Sequence, residues 1–143
     1  VVVDVAGHRV GVATCYDIRF PALFVELARS GAELVVVPAS WGAGPGKLEQ
    51  WRLLASARAL DSGTFVAAVG QALPDDPEVA GGSAPTGIGH SRISDPFGSV
   101  VADHGPGQEL TVHELDLSVV GKARASTAVL DNQRDIPRAD PTD

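Results

Sequence analysis

Apolar residues follow two kinds of pattern along the chain, and their alternation predicts an α/β fold. Continuous β-branched runs such as Leu34–Val37 contain no polar position and are typical of strands covered on both faces. Between such runs the apolar residues recur at helical spacing, as with Leu23, Leu27 and Ala28. The predicted strands are Val1–Val5, Val10–Thr14, Leu34–Val37 and Phe65–Ala72, and the predicted helices run from Pro21 to Gly31, over Lys47–Leu60 and over Leu117–Arg124.

The segments between these elements are predicted as turns, a loop and further strands. Ala6-Gly7-His8-Arg9 predicts the turn of a hairpin between the first two strands, with glycine supplying the difficult dihedral. Leu73–Gly89 is rich in proline, glycine and acidic residues, which predicts a surface loop. Ser91–Ser94 and Ser99–Asp103 flank a Pro-Phe-Gly turn and predict a second hairpin. Glu109–Leu115 alternates less cleanly and is predicted as a further strand.

Composition narrows the class of protein. The chain has 143 residues, of which 44% are hydrophobic and 20% charged, as expected of one globular domain. A net charge of −7 argues against a nucleic-acid or anionic-membrane partner, because no basic stripe is present to release counterions. The single cysteine fits a reducing compartment, no apolar run reaches membrane-spanning length, and no charged-then-apolar leader appears. We therefore expect a cytoplasmic protein.

Two features concern the extent of the chain. It starts at Val1 inside a predicted strand, and it contains no methionine. These features lead us to expect the carboxy-terminal part of a longer protein.

The only cysteine, Cys15, lies where the second strand ends and the first helix approaches. Open α/β sheets place their chemistry at this end of a strand, and a helix start favours a thiolate and an oxyanion. A lone cysteine is more often a small buried hydrophobe. His90 could serve as its base in a cysteine–histidine hydrolase, although the spacing of the two residues does not require such a pair.

Two other kinds of site have little support. The loop from Gly42 to Lys47 lacks the glycine and the Ser or Thr of a phosphate loop, which here are Trp41 and Leu48. Metal binding is not predicted, because the four histidines are scattered and Cys15 has no paired cysteine. We expect neither a metal nor a cofactor. The histidines are His8, His90, His104 and His113.

The segment Gly11-Val-Ala-Thr-Cys15-Tyr-Asp-Ile-Arg-Phe-Pro21 resembles the nucleophile segment of the nitrilase, or carbon–nitrogen hydrolase, superfamily. Separate matches follow in order over nearly the whole chain, and the amidase-like branch is the most similar. They are Gly31-Ala32, Leu34–Ala39, Trp51, Arg58-Ala59, Gly89-His90-Ser91, Asp95–Gly98 and Glu114–Leu117.

This resemblance implies an α-β-β-α sandwich and the hydrolysis of a non-peptide C–N bond in a small amide, carbamoyl compound or nitrile. The family uses a cysteine nucleophile that forms a thioester, a glutamate base, a lysine that stabilises the tetrahedral intermediate, and a second glutamate. Cys15 matches the nucleophile, and the backbone N–H of Tyr16 matches the oxyanion donor. Arg19 matches a substrate-contacting or structural position, and Ser40 and Trp41 match the pocket wall.

The glutamates and the lysine lie upstream of the cysteine in the family, and no residue of this chain matches them. The resemblance therefore implies that residues 1–129 are the carboxy-terminal part of a carbon–nitrogen hydrolase domain, which alone is inactive. It also implies a homo-oligomer, a dimer or larger. Residues 130–143 form a polar tail that is predicted to be disordered or to lie across a partner subunit. Two alternatives stay open: a non-catalytic α/β interaction module, and the Cys15/His90 thiol hydrolase.

Overall fold

In the described part of the chain, six strands form one sheet in chain order, and two helices connect its central strands. The structure, a computed structural model, describes residues 1–82 and 86–134, so residues 83–85 of the predicted loop and 135–143 of the predicted tail lie outside it. The strands are β1 (Val2–Val5), β2 (His8–Val12), β3 (Leu34–Ala39), β4 (Phe65–Gly70), β5 (Arg92–Ser94) and β6 (Val100–Asp103). The helices are α1 (Pro21–Arg29), α2 (Lys47–Ser62), α3 (Pro77–Ala80), α4 (Val119–Thr127) and α5 (Val129–Asn132).

The three central strands are parallel, and the outer ones are antiparallel. β2 pairs with β3 and β3 with β4 in parallel, whereas β1, β5 and β6 join through antiparallel ladders. This confirms the predicted α/β class, because a helix crosses between each pair of parallel strands. Within the described residues, no helix is long and apolar enough to cross a membrane.

The first hairpin is tighter than predicted. β2 begins at His8, so the turn is Ala6-Gly7 alone and not Ala6–Arg9. Both turn residues have positive φ, 52° for Ala6 and 83° for Gly7, which is the left-handed geometry that matches the twist of a two-residue hairpin. The strand also ends at Val12, because Thr14 already begins the next turn.

The hydrophobic core lies on one face of the sheet. Val35 and Val37 of β3 are fully buried under α1 and α2, together with Phe24 and Trp51 from those helices. Leu34 and Val36 on the opposite face are half-buried, so the described residues by themselves cover only one face of this predicted doubly covered strand completely. Both helices pack on the same side of the sheet.

The uncovered side of the sheet is apolar, and we call it the open sheet face. Strand register places its members on one surface. Val3, Val5 and Val69 are 43%, 52% and 50% exposed, and the remainder are half-buried. The partly or fully exposed apolar members of this face are Val3, Val5, Val10, Val12, Leu34, Val36, Ala67 and Val69. His8 and the buried Phe65 share this face.

Among the residues that the structure describes, the stretch Glu109–Leu115, predicted as a strand, pairs with no strand. Its Leu110 and Val112 side chains are 96% and 94% exposed, so the alternation is present but no neighbouring strand accepts its hydrogen bonds. The following helix also begins later than predicted, at Val119 rather than Leu117. Sequence alternation indicates a strand, but a strand also needs a partner.

Helix α4 closes the amino-terminal ends of β3 and β4 through Arg124. Its Nη2 donates to the carbonyl of Ala32 at 2.6 Å, and its Nε donates to the carbonyl of Gly63 at 3.2 Å. Both carbonyls belong to buried residues that lie two positions before the start of a central strand. Burial lowers the pKa of Arg124, while the charge of Glu33 acts in the opposite direction.

We expect Arg124→Ala to lower the free energy of unfolding by about 1–3 kcal/mol, because it leaves two buried carbonyls without their donor. Lys122→Ala is the matched control, since it removes one charge from an exposed position of the same helix. Its effect should stay within about 0.5 kcal/mol. Urea unfolding of the two variants and the unchanged chain gives both values. Equal stability of the two variants would show that Arg124 does not hold these turns.

Candidate active site

The turn that carries Cys15 is closed by Asp17. After β2 the chain forms a 3-10 helix, Cys15–Arg19, preceded by Thr14. The backbone N–H of Thr14 donates to Oδ2 of Asp17 at 2.9 Å, and the N–H of Asp17 donates back to the Thr14 carbonyl at 2.9 Å. These reciprocal bonds fix the backbone on both sides of the thiol.

Cys15 itself has a left-handed backbone, with φ of 47°. A residue with a side chain pays for this conformation with about 1–2 kcal/mol, and such strain concentrates at functional sites. The side chain is half-buried and packs against the core cluster. The sharp turn after β2 therefore leaves the thiol partly accessible at the carboxyl end of the strand.

Helix α2 holds the same turn at two points. The buried Arg58 side chain donates from Nε to the carbonyl of Ile18 at 2.8 Å, and it also pairs with Asp61. Arg19 donates from Nη2 to Oε1 of Gln50 at 3.0 Å. Sequence reasoning did not assign Arg58 this role. The sequence signal for this role is that Arg58 is a charged residue at an inward position of an otherwise apolar helical stripe.

A cavity of about 490 Å³ opens beside the thiol. It lies at the carboxyl ends of the three parallel strands, where α/β sheets bind ligands. Its walls are neutral: within the described residues, no carboxylate, imidazole or ammonium lines it. The lining residues are Thr14, Cys15, Pro38, Ala39, Ser40, Val69, Gly70 and Gln71.

The structure brings only part of the predicted set to this cavity. Cys15 and Ser40 line it. Trp41 lies instead in the core, 3% exposed, where it packs on Trp51 with ring centroids 5.2 Å apart. The guanidinium of Arg19 lies 4.9 Å from the Trp41 ring and 5.4 Å from the Tyr16 ring, so neighbouring aromatic groups hold it.

The Tyr16 backbone amide follows directly after Cys15. Among the hydrogen bonds that the described residues form, none uses this N–H. An amide without a protein acceptor at the start of a helical turn can donate to a ligand. The Tyr16 side chain is 63% exposed.

His90 lies apart from the cavity that holds Cys15. Its Nδ1 lies 3.0 Å from the carbonyl of His104, and its own carbonyl accepts from Nε1 of Trp51 at 2.8 Å. The ring is not among the groups lining the cavity. The geometry therefore gives the Cys15/His90 pairing no support.

The wall formed by β4 depends on close backbone packing. A Cβ at Gly70 would lie 2.0 Å from the carbonyl oxygen of Gly89, so any larger residue would force the two segments apart. Oγ of Ser91 also accepts from the Gly70 N–H at 3.1 Å. The cavity wall is therefore set by backbone, which sequence patterns alone do not reveal. Gln71, next to Gly70, adds a polar side chain that the sequence did not single out.

Comparison with known proteins identifies similar sequences and folds. The family model described as Carbon-nitrogen hydrolase matches residues 1–125. Hydrolase Rv0480c of Mycobacterium tuberculosis H37Rv is 55% identical over 143 residues, covering 98% of this chain and 51% of that protein. A deaminated glutathione amidase of Escherichia coli O157:H7 is 39% identical over 134 residues, covering 94% of this chain and 47% of the amidase.

The solved structures agree with this result. Saccharomyces cerevisiae Nit3, a member of branch 10 of the nitrilase superfamily, superposes with a TM-score of 0.75 at 34% identity. The match covers 88% of this chain and 44% of Nit3. The chain thus spans about half the length of the curated relatives it matches.

The left-handed backbone of Cys15 predicts an unusual order of stability for two variants. Cys15→Gly should be more stable than Cys15→Ala by about 1 kcal/mol, because glycine adopts positive φ without cost. Chemical denaturation of both variants provides the measurement. If the alanine variant were as stable as the glycine variant, the turn would not hold Cys15 in this conformation.

Proposed function

The chain belongs to the carbon-nitrogen hydrolase family, and from this premise we propose that it carries the nucleophile of an enzyme that hydrolyses a small amide. The observation that supports this role is the strained turn, which presents Cys15 to a cavity at the carboxyl ends of three parallel strands. Open α/β sheets bind their ligands at this edge of the sheet.

The proposed reaction proceeds through a thioester. The sulfur of Cys15 attacks the amide carbonyl carbon, and the backbone N–H of Tyr16 donates to the oxyanion that forms. Collapse of this intermediate expels the amine or ammonia after it accepts a proton. Water then attacks the thioester carbonyl, which releases the carboxylic acid and restores the thiol.

The groups that move these protons are proposed to come from outside the 143 residues. Amide hydrolysis needs a base for the thiol and an acid for the leaving amine. The neutral lining of the cavity offers neither. A glutamate and a lysine on a facing segment would complete the site, as the resemblance implies.

The open sheet face also supports the proposal that a further part of the protein packs against these residues. An apolar sheet surface of this extent is expected to be covered. In an α-β-β-α sandwich, a second sheet packs about 10 Å away, face to face. We propose that residues 1–129 form one sheet and helix pair of that sandwich and that the outward Leu110 and Val112 join its second half. Residues 130–143 are proposed as a tail.

An amide is the proposed substrate class rather than a nitrile or a carbamoyl compound, because similar proteins from Escherichia coli O157:H7 and Rattus norvegicus are named deaminated glutathione amidases. Ser40, on the cavity wall, is proposed to contact the substrate. Arg19 is proposed to position the Cys15 turn, since Gln50 and two aromatic rings already hold its guanidinium. The buried Trp41 ring is proposed to help hold the Arg19 guanidinium in place. With its single cysteine, the protein is proposed to work in the cytoplasm.

Activity of the longer protein that contains this chain tests the proposal. Cys15→Ser should reduce amide turnover by at least about 10³-fold, because an alcohol replaces the activated thiol. His90→Asn is the matched comparison, since asparagine tolerates positive φ. It should keep turnover within a few-fold of the unchanged enzyme. Loss of activity in both variants, with the upstream glutamates dispensable, would select the cysteine–histidine mechanism, and full activity of Cys15→Ser would overturn the proposal.

We also propose that the protein is a homo-oligomer that pairs through α1 and α2. Leu53 and Leu60 of α2 are 69% and 46% exposed, and Leu60 borders a groove with Pro21 and Val25 of α1. Leu53→Glu should shift the longer protein toward monomer in sedimentation equilibrium. Glu49→Gln, an exposed change on the same helix, should leave the assembly unchanged. A monomeric starting protein, or an assembly indifferent to Leu53→Glu, would exclude this surface.

A further inference from the structure

Arg58 is a buried arginine of α2 that faces the turn carrying Cys15. It is 8% exposed, and its Nε donates to the carbonyl of Ile18 at 2.8 Å. Nη1 pairs with Oδ2 of Asp61, which lies three residues further along the helix. Ile18 is fully buried and lies three residues after the cysteine, so this bond holds the far end of the short helix Cys15–Arg19. Burying a charge costs free energy that an apolar side chain would not, which indicates a role beyond packing.

The backbone and the side chain of Arg58 are both held in place. Oγ of Ser62 donates to the Arg58 carbonyl at 2.7 Å, and Oγ1 of Thr64 lies 2.7 Å from the same hydroxyl. Asp61, with its side chain 42% exposed, orients the guanidinium from the solvent side. Because the guanidinium is planar, the contact at Nη1 also sets the direction in which Nε donates. Helix α2 therefore presents a preorganised donor to the turn.

The turn after β2 needs external support because Cys15 has a positive φ of 47°. A strained residue keeps its conformation only where the surrounding structure over-determines it. On the amino-terminal side, the reciprocal bonds between Thr14 and Asp17 fix the backbone. On the carboxyl side, the bond from Arg58 to the Ile18 carbonyl ties the turn to α2.

We propose that Arg58 is a positioning residue for the nucleophile: it holds the strained turn so that the Cys15 thiol and the Tyr16 N–H face the substrate carbonyl together. This inference rests on the proposed function of Cys15. Arg58 is not among the residues lining the Cys15 cavity, so it acts through the turn and not by contact with substrate. Without its bond the turn relaxes toward negative φ, which moves the sulfur and the amide from the positions that attack and oxyanion binding require.

Kinetics of the longer protein test this role with one substitution made at two places. Arg58→Lys keeps a positive charge near Asp61 but has no donor at the Nε position. Arg124→Lys is the matched control, because the Nε of the half-buried Arg124 also donates to a backbone carbonyl, at the amino-terminal edge of the sheet. We expect Arg58→Lys to lower kcat for an amide by at least about 10-fold and to change KM by less than about 3-fold, because a misplaced nucleophile slows the chemical step. Arg124→Lys should keep kcat within about 3-fold.

A second variant leaves Arg58 in place. Asp61→Asn removes the charge that orients the guanidinium, at a partly exposed position where the substitution is tolerated. It should lower kcat in the same direction by a smaller factor. Glu49→Gln, an exposed change on the same helix, should leave kcat unchanged. Circular dichroism and sedimentation establish that every variant is folded and assembled like the unchanged enzyme.

The strain at Cys15 gives a readout that a role in packing alone would not change. The stability advantage of Cys15→Gly over Cys15→Ala should shrink when combined with Arg58→Lys and persist when combined with Arg124→Lys. Urea unfolding of the four double variants of the longer protein measures both differences.

Three results would overturn the inference: an unchanged kcat in folded Arg58→Lys, an equal loss of kcat in Arg124→Lys, or an undiminished glycine advantage in the Arg58→Lys background. Full activity of Cys15→Ser would instead overturn the proposed function on which the inference rests.

Discussion

The structure depends on the parallel alignment of β2, β3 and β4. Because the strands run the same way, the chain leaves all three at one edge of the sheet, and residues far apart in sequence meet there: Cys15, Ser40 and Gln71. The crossover helices α1 and α2 that parallel pairing requires then pack on one face and build the core. One of them, α2, also reaches the thiol-bearing turn through Arg58.

The same arrangement leaves the thiol without activating groups and the apolar sheet surface without cover in the described residues, and one further layer could supply both. Chemically, a strained thiol faces a cavity to which the described residues bring no charged group that could activate it. Physically, the apolar residues of the open sheet face remain half-buried or exposed, and the outward Leu110 and Val112 are almost fully exposed to water. A second layer packed on the open sheet face would cover the apolar surface and could bring a base and an ammonium group to the cavity. Folding and catalysis in the longer protein would then depend on the same interface.

Sequence patterns predict the central elements because each depends on local chemistry and burial. The helical stripe after Pro21, the β-branched run at Leu34–Val37 and the thiol at a strand end all follow from residue types and spacing. The two-residue turn at Ala6-Gly7 was missed because it requires a left-handed alanine, which few sequences signal. The role of Arg58 and the contact between His104 and His113 do not follow from spacing, because tertiary packing brings these partners together. The strand predicted at Glu109–Leu115 has no neighbouring strand in the part of the chain that the structure describes, so its pattern has no ladder to join there.

The central claim is that these residues hold the nucleophile and that its activating groups lie elsewhere in the protein. Intact-mass spectrometry after rapid mixing with an activated amide or ester measures acylation of Cys15 directly. The claim predicts a thioester on Cys15 of the longer protein that forms and disappears with turnover, and no catalysed acylation or release in the 143-residue chain. Turnover of the thioester by the 143-residue chain at the rate of the longer protein would contradict it.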